Sequence, residues 1–248
     1  MLDYDREAAR YDATRGGDAR AEAAAEAVEE LLPRQARVVV DVACGTGIVT
    51  TRLRRPGRRV AGIDRSAGMA RMAAARLPGG VVCGDAAARL PLLDGSADAV
   101  TMIWLLHLLD QADSAAVLAQ AARALRPGGR LLTTVDKNHA AYHTGGDVAA
   151  LLGPVRDAHT PPQSDALDRV LEVGSGLGLT MSGRTTFAGL GQGRSPREWR
   201  EVIPKSPWGR RMDAATLAEL GSRLGDLPDQ DHPRPDPVYT LIALVRQG

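Results

Sequence analysis

Short apolar runs recur along the chain, most of them closed by a glycine or an acid and several followed by a stretch with helical spacing. Residues 38–42, 58–64, 81–85, 97–104 and 131–135 are runs of this kind. Continuous apolar character, rather than alternation, marks strands buried on both faces, so the pattern predicts a parallel sheet. Between the runs, residues 18–32 (alanine- and glutamate-rich, stopped by Pro33), 48–53, 67–76 (capped by Ser66) and 113–126 read as helices. Arg126-Pro127-Gly128-Gly129-Arg130 closes the last as a turn, because proline cannot continue a helix and glycine supplies positive φ. After Asp136 the rhythm breaks. Residues 136–179 show no clear period, 180–188 and 237–245 read as two further strands, and 212–224 as a helix. Trp199 and Trp208 lie in a proline-interrupted insert, as local core anchors or as a pocket wall.

The most informative run is the first, VVVDVACGTG over residues 38–47. A buried strand there runs into a glycine-rich turn, where Gly45 and Gly47 let a ligand approach the backbone and a following helix offers free N–H groups. Asp41, pointing into that turn, would repel a pyrophosphate but pair with an ammonium. A dinucleotide fingerprint, G-x-G-x-x-G/A, is also incomplete, since Thr50 stands at its third small position. Asp64 ends the second run, about twenty residues on, where a carboxylate accepts ribose hydroxyls in several α/β folds.

In the form D-x-x-C-G-T-G, this turn resembles the first cofactor motif of class I S-adenosylmethionine-dependent methyltransferases. Three other stretches carry the same resemblance. Tyr4, Asp5, Tyr11, Asp12 and Arg15 reproduce an N-terminal pattern of small-molecule methyltransferases; Gly84-Asp85-Ala86 resembles the adenine contact; Leu-Arg-Pro-Gly-Gly-Arg-Leu resembles a structural signature before the fifth strand. The resemblance implies a doubly wound α/β fold whose seven-stranded, mostly parallel sheet has order 3-2-1-4-5-7-6, the last strand antiparallel, with helices on both faces and an inserted cap. It implies S-adenosylmethionine as cofactor, held by Tyr11, Arg15, Asp41, Ala43, Gly45, Gly47, Asp64, Arg65, Met69, Gly84, Asp85, Ala86 and Ile103.

His107 follows the strand end that should adjoin the transferred methyl. Related enzymes read Leu-His-His there, and here Leu108 replaces the second histidine. A lone histidine in an apolar run is ordinarily a packed core residue, but this position makes His107 a candidate general base. His139 is a second catalytic candidate. With His143 it is spaced as a metal pair on a helix could be, but no third ligand of equal clarity accompanies them and no metal is expected.

Composition narrows the partner. A formal net charge of +1 and 3% aromatic residues leave neither a basic footprint nor stacking rings for nucleic acid. No apolar run approaches the roughly 20 residues of a bilayer crossing, and the charged start is unlike a signal peptide, so a cytoplasmic protein with no membrane partner is expected. Cys44 and Cys83 are expected to be buried thiols. The expectation is a single domain: a lid over residues 1–17 too polar to bury itself, a cofactor core over 18–135, a cap over 136–236 and a final strand over 237–248. It would act as a monomer or homodimer on a small-molecule acceptor, in natural-product tailoring such as antibiotic biosynthesis. A quinone or lipid-precursor methylase, or a non-catalytic cofactor-binding protein, are the alternatives.

Overall fold

Strand β1 (Val38–Val42) lies inside the sheet, and three of its side chains divide the core between them. Val40 and Val42 face one way and Val39 the other, as the two-residue repeat of a strand requires. The computed structural model describes residues 3–248; the first two residues of the expected lid lie outside them. Parallel to β1 run β2 (Arg59–Asp64) on one side, followed by β3 (Val81–Cys83), and β4 (Ala97–Met102) on the other, followed by β5 (Leu125–Val135). Strands β6 (Leu179–Ala188) and β7 (Val238–Arg246) complete a seven-stranded sheet of order β3-β2-β1-β4-β5-β7-β6, with β7 antiparallel to both neighbours. This is the expected topology.

One face is covered by α2 (Gly17–Leu31). Its alanines 21, 24 and 25, then Val28 and Leu31, recur at helical spacing and bury against Val39, Leu132, Leu241, Phe187 and Tyr239. The small side chains let the helix sit close to the sheet. The other face packs on α4 (Gln111–Ala124) and α7 (Leu167–Gly176) through Val117, Leu118, Ala121 and Val170. A third cluster stands apart, built from α6 (Gly146–His159), α8 (Pro196–Val202) and α9 (Ala214–Gly225). Its centre is aromatic: Trp208 Nε1 donates to the Tyr142 hydroxyl at 3.0 Å, and the Tyr142 ring lies 5.1 Å from Trp199 and 5.4 Å from Trp208. Both tryptophans are therefore anchors of this cap.

Asp98 ties the edges of the core together. Buried beside the start of β1, its carboxylate accepts from the N–H groups of Arg37 (2.6 Å) and Val38 (2.8 Å) and pairs with Arg126 Nε (2.6 Å). It satisfies two strand-end donors that would otherwise be buried without partners, at about 1–3 kcal/mol each.

Four local expectations are corrected. The chain after the first turn makes only a 3-10 turn at Thr50–Leu53, because Ile48, Val49, Thr50 and Thr51 are four β-branched residues in a row. Strand β5 starts at Leu125 and runs through the Pro-Gly-Gly segment, with a register shift between Ala97 and Ala99 opposite it. Cys83 is exposed, whereas Cys44 is buried as expected. The polar N-terminal segment is a docked helix, α1 (Tyr4–Thr14), whose Ala8 is buried. No helix among the described residues is long and apolar enough to cross a membrane.

Candidate functional site

A cavity of about 940 Å³ opens at the carboxyl ends of the parallel strands, the place where open α/β sheets take their ligands. Helix α1 and helix α3 (Ala67–Arg76) form part of its wall. Of the thirteen expected cofactor residues, Tyr11, Asp41, Ala43, Gly45, Asp64, Arg65, Met69, Gly84, Asp85, Ala86 and Ile103 line it, as does His107. Gly47, Arg15 and His139 do not.

The glycine turn is organised by Asp64 rather than by a helix dipole. One oxygen of Asp64 accepts from Gly45 N–H (2.8 Å), the other from Ser66 N–H (2.9 Å). Burial raises its pKa, and those two bonds oppose the rise. Gly45 has φ +58°, and a Cβ built there would meet nothing within 4 Å. It faces open space, so its requirement is conformational and a ligand can reach the backbone. Gly47 serves packing instead. At φ +75°, a Cβ there would sit 3.0 Å from Ala73 Cα, so this glycine lets the turn press against α3.

Asp41 does not project freely into the turn. It is buried and accepts from the hydroxyls of Thr50 (2.5 Å) and Thr101 (2.7 Å). Burial pushes its pKa up to about 6, against the pull of the two hydroxyls. Asp85, exposed at the end of β3, accepts from Ala87 N–H (2.9 Å), which sets the turn that brings Ala86 to the wall.

Helix α1 closes over this end through its acids. Asp5 accepts from Ser66 Oγ (2.8 Å) and Gly68 N–H (2.6 Å) at the α3 N-terminus. Asp12 accepts from Thr46 Oγ1 (2.6 Å) and pairs with Arg76 (2.7 Å). Tyr11 is thereby placed on the cavity, while Arg15 caps the helix with its guanidinium 5.7 Å from the Tyr11 ring centroid.

Beyond β4 and β5 the character of the wall changes to cationic and aromatic. Trp104, a bulky residue at φ +59°, is held there by its N–H donating to Thr134 Oγ1 (2.8 Å) and by packing on Phe187 and Tyr239. Such a conformation is a genuine strain for a large side chain, and strain of this kind gathers at ligand sites. Arg20 stacks on the Trp104 ring, its guanidinium carbon 3.5 Å from the centroid. His107 lies in a 3-10 turn (Leu106–Leu108), and its buried Nδ1 has no hydrogen-bond partner. Burial, then the charges of Lys137 and Arg20, hold its pKa well below the ordinary histidine value. Lys137 itself is pushed down to about 8, chiefly by burial, then by Arg20 and Arg15. His139 lies at the surface, its ring stacked on His143 at 3.5 Å and Asp157 beside both, so it is not brought to the cavity.

Trp104, Lys137 and Asn138 are wall residues absent from the expected set. The signal for them was positional: each follows the carboxyl end of a central strand, where ligands gather.

The buried Asp41 makes stability depend on pH. The native carboxyl keeps its proton to about pH 6, against an ordinary value of 3.8, so between these the native state binds more protons and stability falls as pH rises. Asp41→Asn removes this titration. Relative to wild type, the variant should gain stability from pH 4 to pH 7 by on the order of 2–3 kcal/mol, measured by urea unfolding at several pH values. A pH-independent difference would place the raised carboxyl elsewhere.

Comparison with known proteins agrees with this geometry. Residues 40–133 match the methyltransferase domain family. The chain is 38% identical over 142 residues to an uncharacterized methyltransferase of Mycobacterium tuberculosis (strain ATCC 25618 / H37Rv), covering 56% of this chain and 57% of that protein. It is 39% identical over 104 residues to a demethylmenaquinone methyltransferase of Corynebacterium kroppenstedtii, covering 42% and 43% of the two chains. Thus the chain spans little more than half the length of the curated relatives it matches. Among solved structures, geranyl diphosphate C-methyltransferase from Streptomyces coelicolor A3(2) superposes with TM-score 0.54 at 18% identity over 91% of this chain and 79% of that one. The [4+2]-cyclase SpnF superposes with TM-score 0.59 at 17% identity over 98% and 94%. These two likenesses concern the fold.

Proposed function

We propose that this chain, whose sheet has the class I methyltransferase order and whose residues 40–133 match the methyltransferase domain family, transfers a methyl group from S-adenosylmethionine to an O, N or C nucleophile of a small molecule. The observation that carries this reading is the row Gly45, Asp64 and Asp85, set at the ends of three neighbouring strands on one cavity wall. A glycine open to the backbone and acids spaced along the wall suit a ligand that presents an ammonium, a ribose and an exocyclic amine.

When bound, S-adenosylmethionine supplies an electrophilic methyl on a sulfonium. Asp64 would accept the ribose hydroxyls with the lone pairs its two backbone bonds leave, Asp85 the adenine amine, and Asp41 with the Gly45 turn the amino-acid end. Tyr11 and α1 would cover that end and exclude water. His107 would orient the acceptor or take its proton, in line with its place beyond β4. The demethylmenaquinone methyltransferase likeness supports a quinone acceptor as a second reading, but it lies in the cofactor half. Natural-product tailoring remains the preferred role, since the cap that would select the acceptor falls outside the matched domain.

S-adenosylhomocysteine should bind in the micromolar range by calorimetry. Asp64→Ala should weaken binding by about 1.5–3 kcal/mol, since it removes a charged acceptor and frees the Gly45 turn. Unchanged affinity would take Asp64 out of the site.

Addition of S-adenosylhomocysteine should also slow amide exchange across residues 3–17, because α1 docks through the part-buried contacts of Asp5 and Asp12 and buries only Ala8. Equal exchange with and without ligand would reduce this segment to a fixed part of the wall.

His107→Gln keeps size and a hydrogen-bonding end but cannot take a proton near neutrality. Labelled-methyl transfer, followed on an acceptor found by screening small molecules, should fall by about a hundredfold while S-adenosylhomocysteine affinity holds. Turnover near wild type would mean that positioning alone suffices without a protein base.

A further inference from the structure

The cavity wall is electrostatically divided. Asp41, Asp64 and Asp85 stand at the ends of β1, β2 and β3, with Arg65 among them, whereas the ends of β4 and β5 carry His107 and Lys137, with Arg20 directly behind Trp104 and Asp113 the one acid on the wall beyond β4 among the described residues. Neither Lys137 nor Arg20 has a carboxylate within ion-pair distance among the described residues. The Lys137 ammonium has a single long contact, 3.5 Å, to the Asn138 side-chain oxygen. Asp165, the acid that bears on it, spends one oxygen on the Lys137 backbone N–H (2.8 Å) instead. Arg20 donates to the Arg15 carbonyl (3.1 Å) and bonds with Tyr239, and its Nε has no partner. Trp104 Nε1 and His107 Nδ1 are buried without partners as well. Arg15 and Arg194 add further positive charge toward Lys137.

Burying cations without counter-charge costs several kcal/mol per ion, and proteins ordinarily pair them. Here no carboxylate comes within ion-pair distance of either cation among the described residues, Asp165 with its unpartnered second oxygen bearing on Lys137 only from further away, and unpartnered donors stand at one end of a cavity. The apolar residues beside them, Ile103, Leu105, Leu108 and Pro207, give room for a hydrocarbon body but no charge. We propose that this end binds a carboxylate: the acceptor is a small organic acid with an apolar body lying against Trp104 and its carboxylate paired with Lys137.

This rests on the methyl-transfer reading and narrows its acceptor class. It also accounts for His107. Burial first and then the cations around it oppose its protonation, and a bound carboxylate would offset the cations, so the imidazole becomes a better proton acceptor when the acid is in place.

The test is calorimetric titration of 2-naphthoate and its uncharged isostere 2-naphthamide into protein saturated with S-adenosylhomocysteine. The acid should bind at least about tenfold more tightly than the amide. Lys137→Met should bring the two within about twofold, and Lys137→Arg should keep most of the preference. Where Lys137→Met loses its thermal transition, Lys137→Gln takes its place. Equal binding of acid and amide, binding of neither at millimolar concentration, or a preference that survives both neutral variants overturns the proposal. Naphthyl phosphate binding more tightly than naphthoate overturns the assignment to a carboxylic acid. S-adenosylhomocysteine is titrated separately: its failure to bind, with the acid preference intact, would count against the methyl-transfer reading and leave the carboxylate site standing.

Discussion

Two backbone N–H groups accepted by one carboxylate hold the ligand end of this molecule in shape. Asp64, at the last position of β2, draws in Gly45 from the turn after β1 and Ser66 from the cap of α3. Ser66 in turn meets Asp5 on α1, and Asp5 reaches Gly68. One line of hydrogen bonds therefore joins first turn, second strand, third helix and N-terminal helix. Each member is short and polar, and each bond satisfies a backbone or capping group that would otherwise face the cavity unpaired. A ligand that accepts or donates here meets groups already fixed in direction, which lowers the ordering cost of binding.

The strand framework was legible because parallel strands leave an unmistakable apolar run, and the order of the sheet followed from the resemblance carried by residues 41–47, 84–86 and 125–131. Failures cluster where side-chain hydrogen bonding overrides a local rule. Asp41 reads as a free acid in a glycine turn, but Thr50 and Thr101 claim both its oxygens, and Thr101 lies sixty residues away. The N-terminal segment reads as too polar to settle, yet its acids are what settle it, on Ser66, Gly68, Thr46 and Arg76. Gly47 and Gly45 look alike in sequence, and only the approach of Ala73 tells packing from ligand access. In each case the deciding partner is distant along the chain, beyond any window of periodicity.

Fold and family carry the reading only so far. A [4+2]-cyclase superposes on this chain about as well as a C-methyltransferase does, so the sheet specifies where a ligand sits and not what is done to it. Here the two halves of the chain divide the information. The matched domain, residues 40–133, contains Asp41, Asp64 and Asp85; Lys137, the cap helices and the Trp199–Trp208–Tyr142 cluster follow it.

The division of charge within one cavity then has a simple physical consequence. An excess of acids after β1, β2 and β3 and of cations after β4 and β5 would orient a ligand pair that carries a positive and a negative end. On the proposed reading, a sulfonium amino acid with an ammonium would be drawn toward the acidic end and an organic acid toward Lys137. Reversing them would set like charges together in a partly desolvated space, where repulsion is far stronger than in water. On that reading the field that selects each ligand would also keep the two in the order transfer requires. Placement of this kind removes orientational freedom before a reaction, and for the proposed methyl transfer, which needs little beyond alignment, it would supply much of the catalysis.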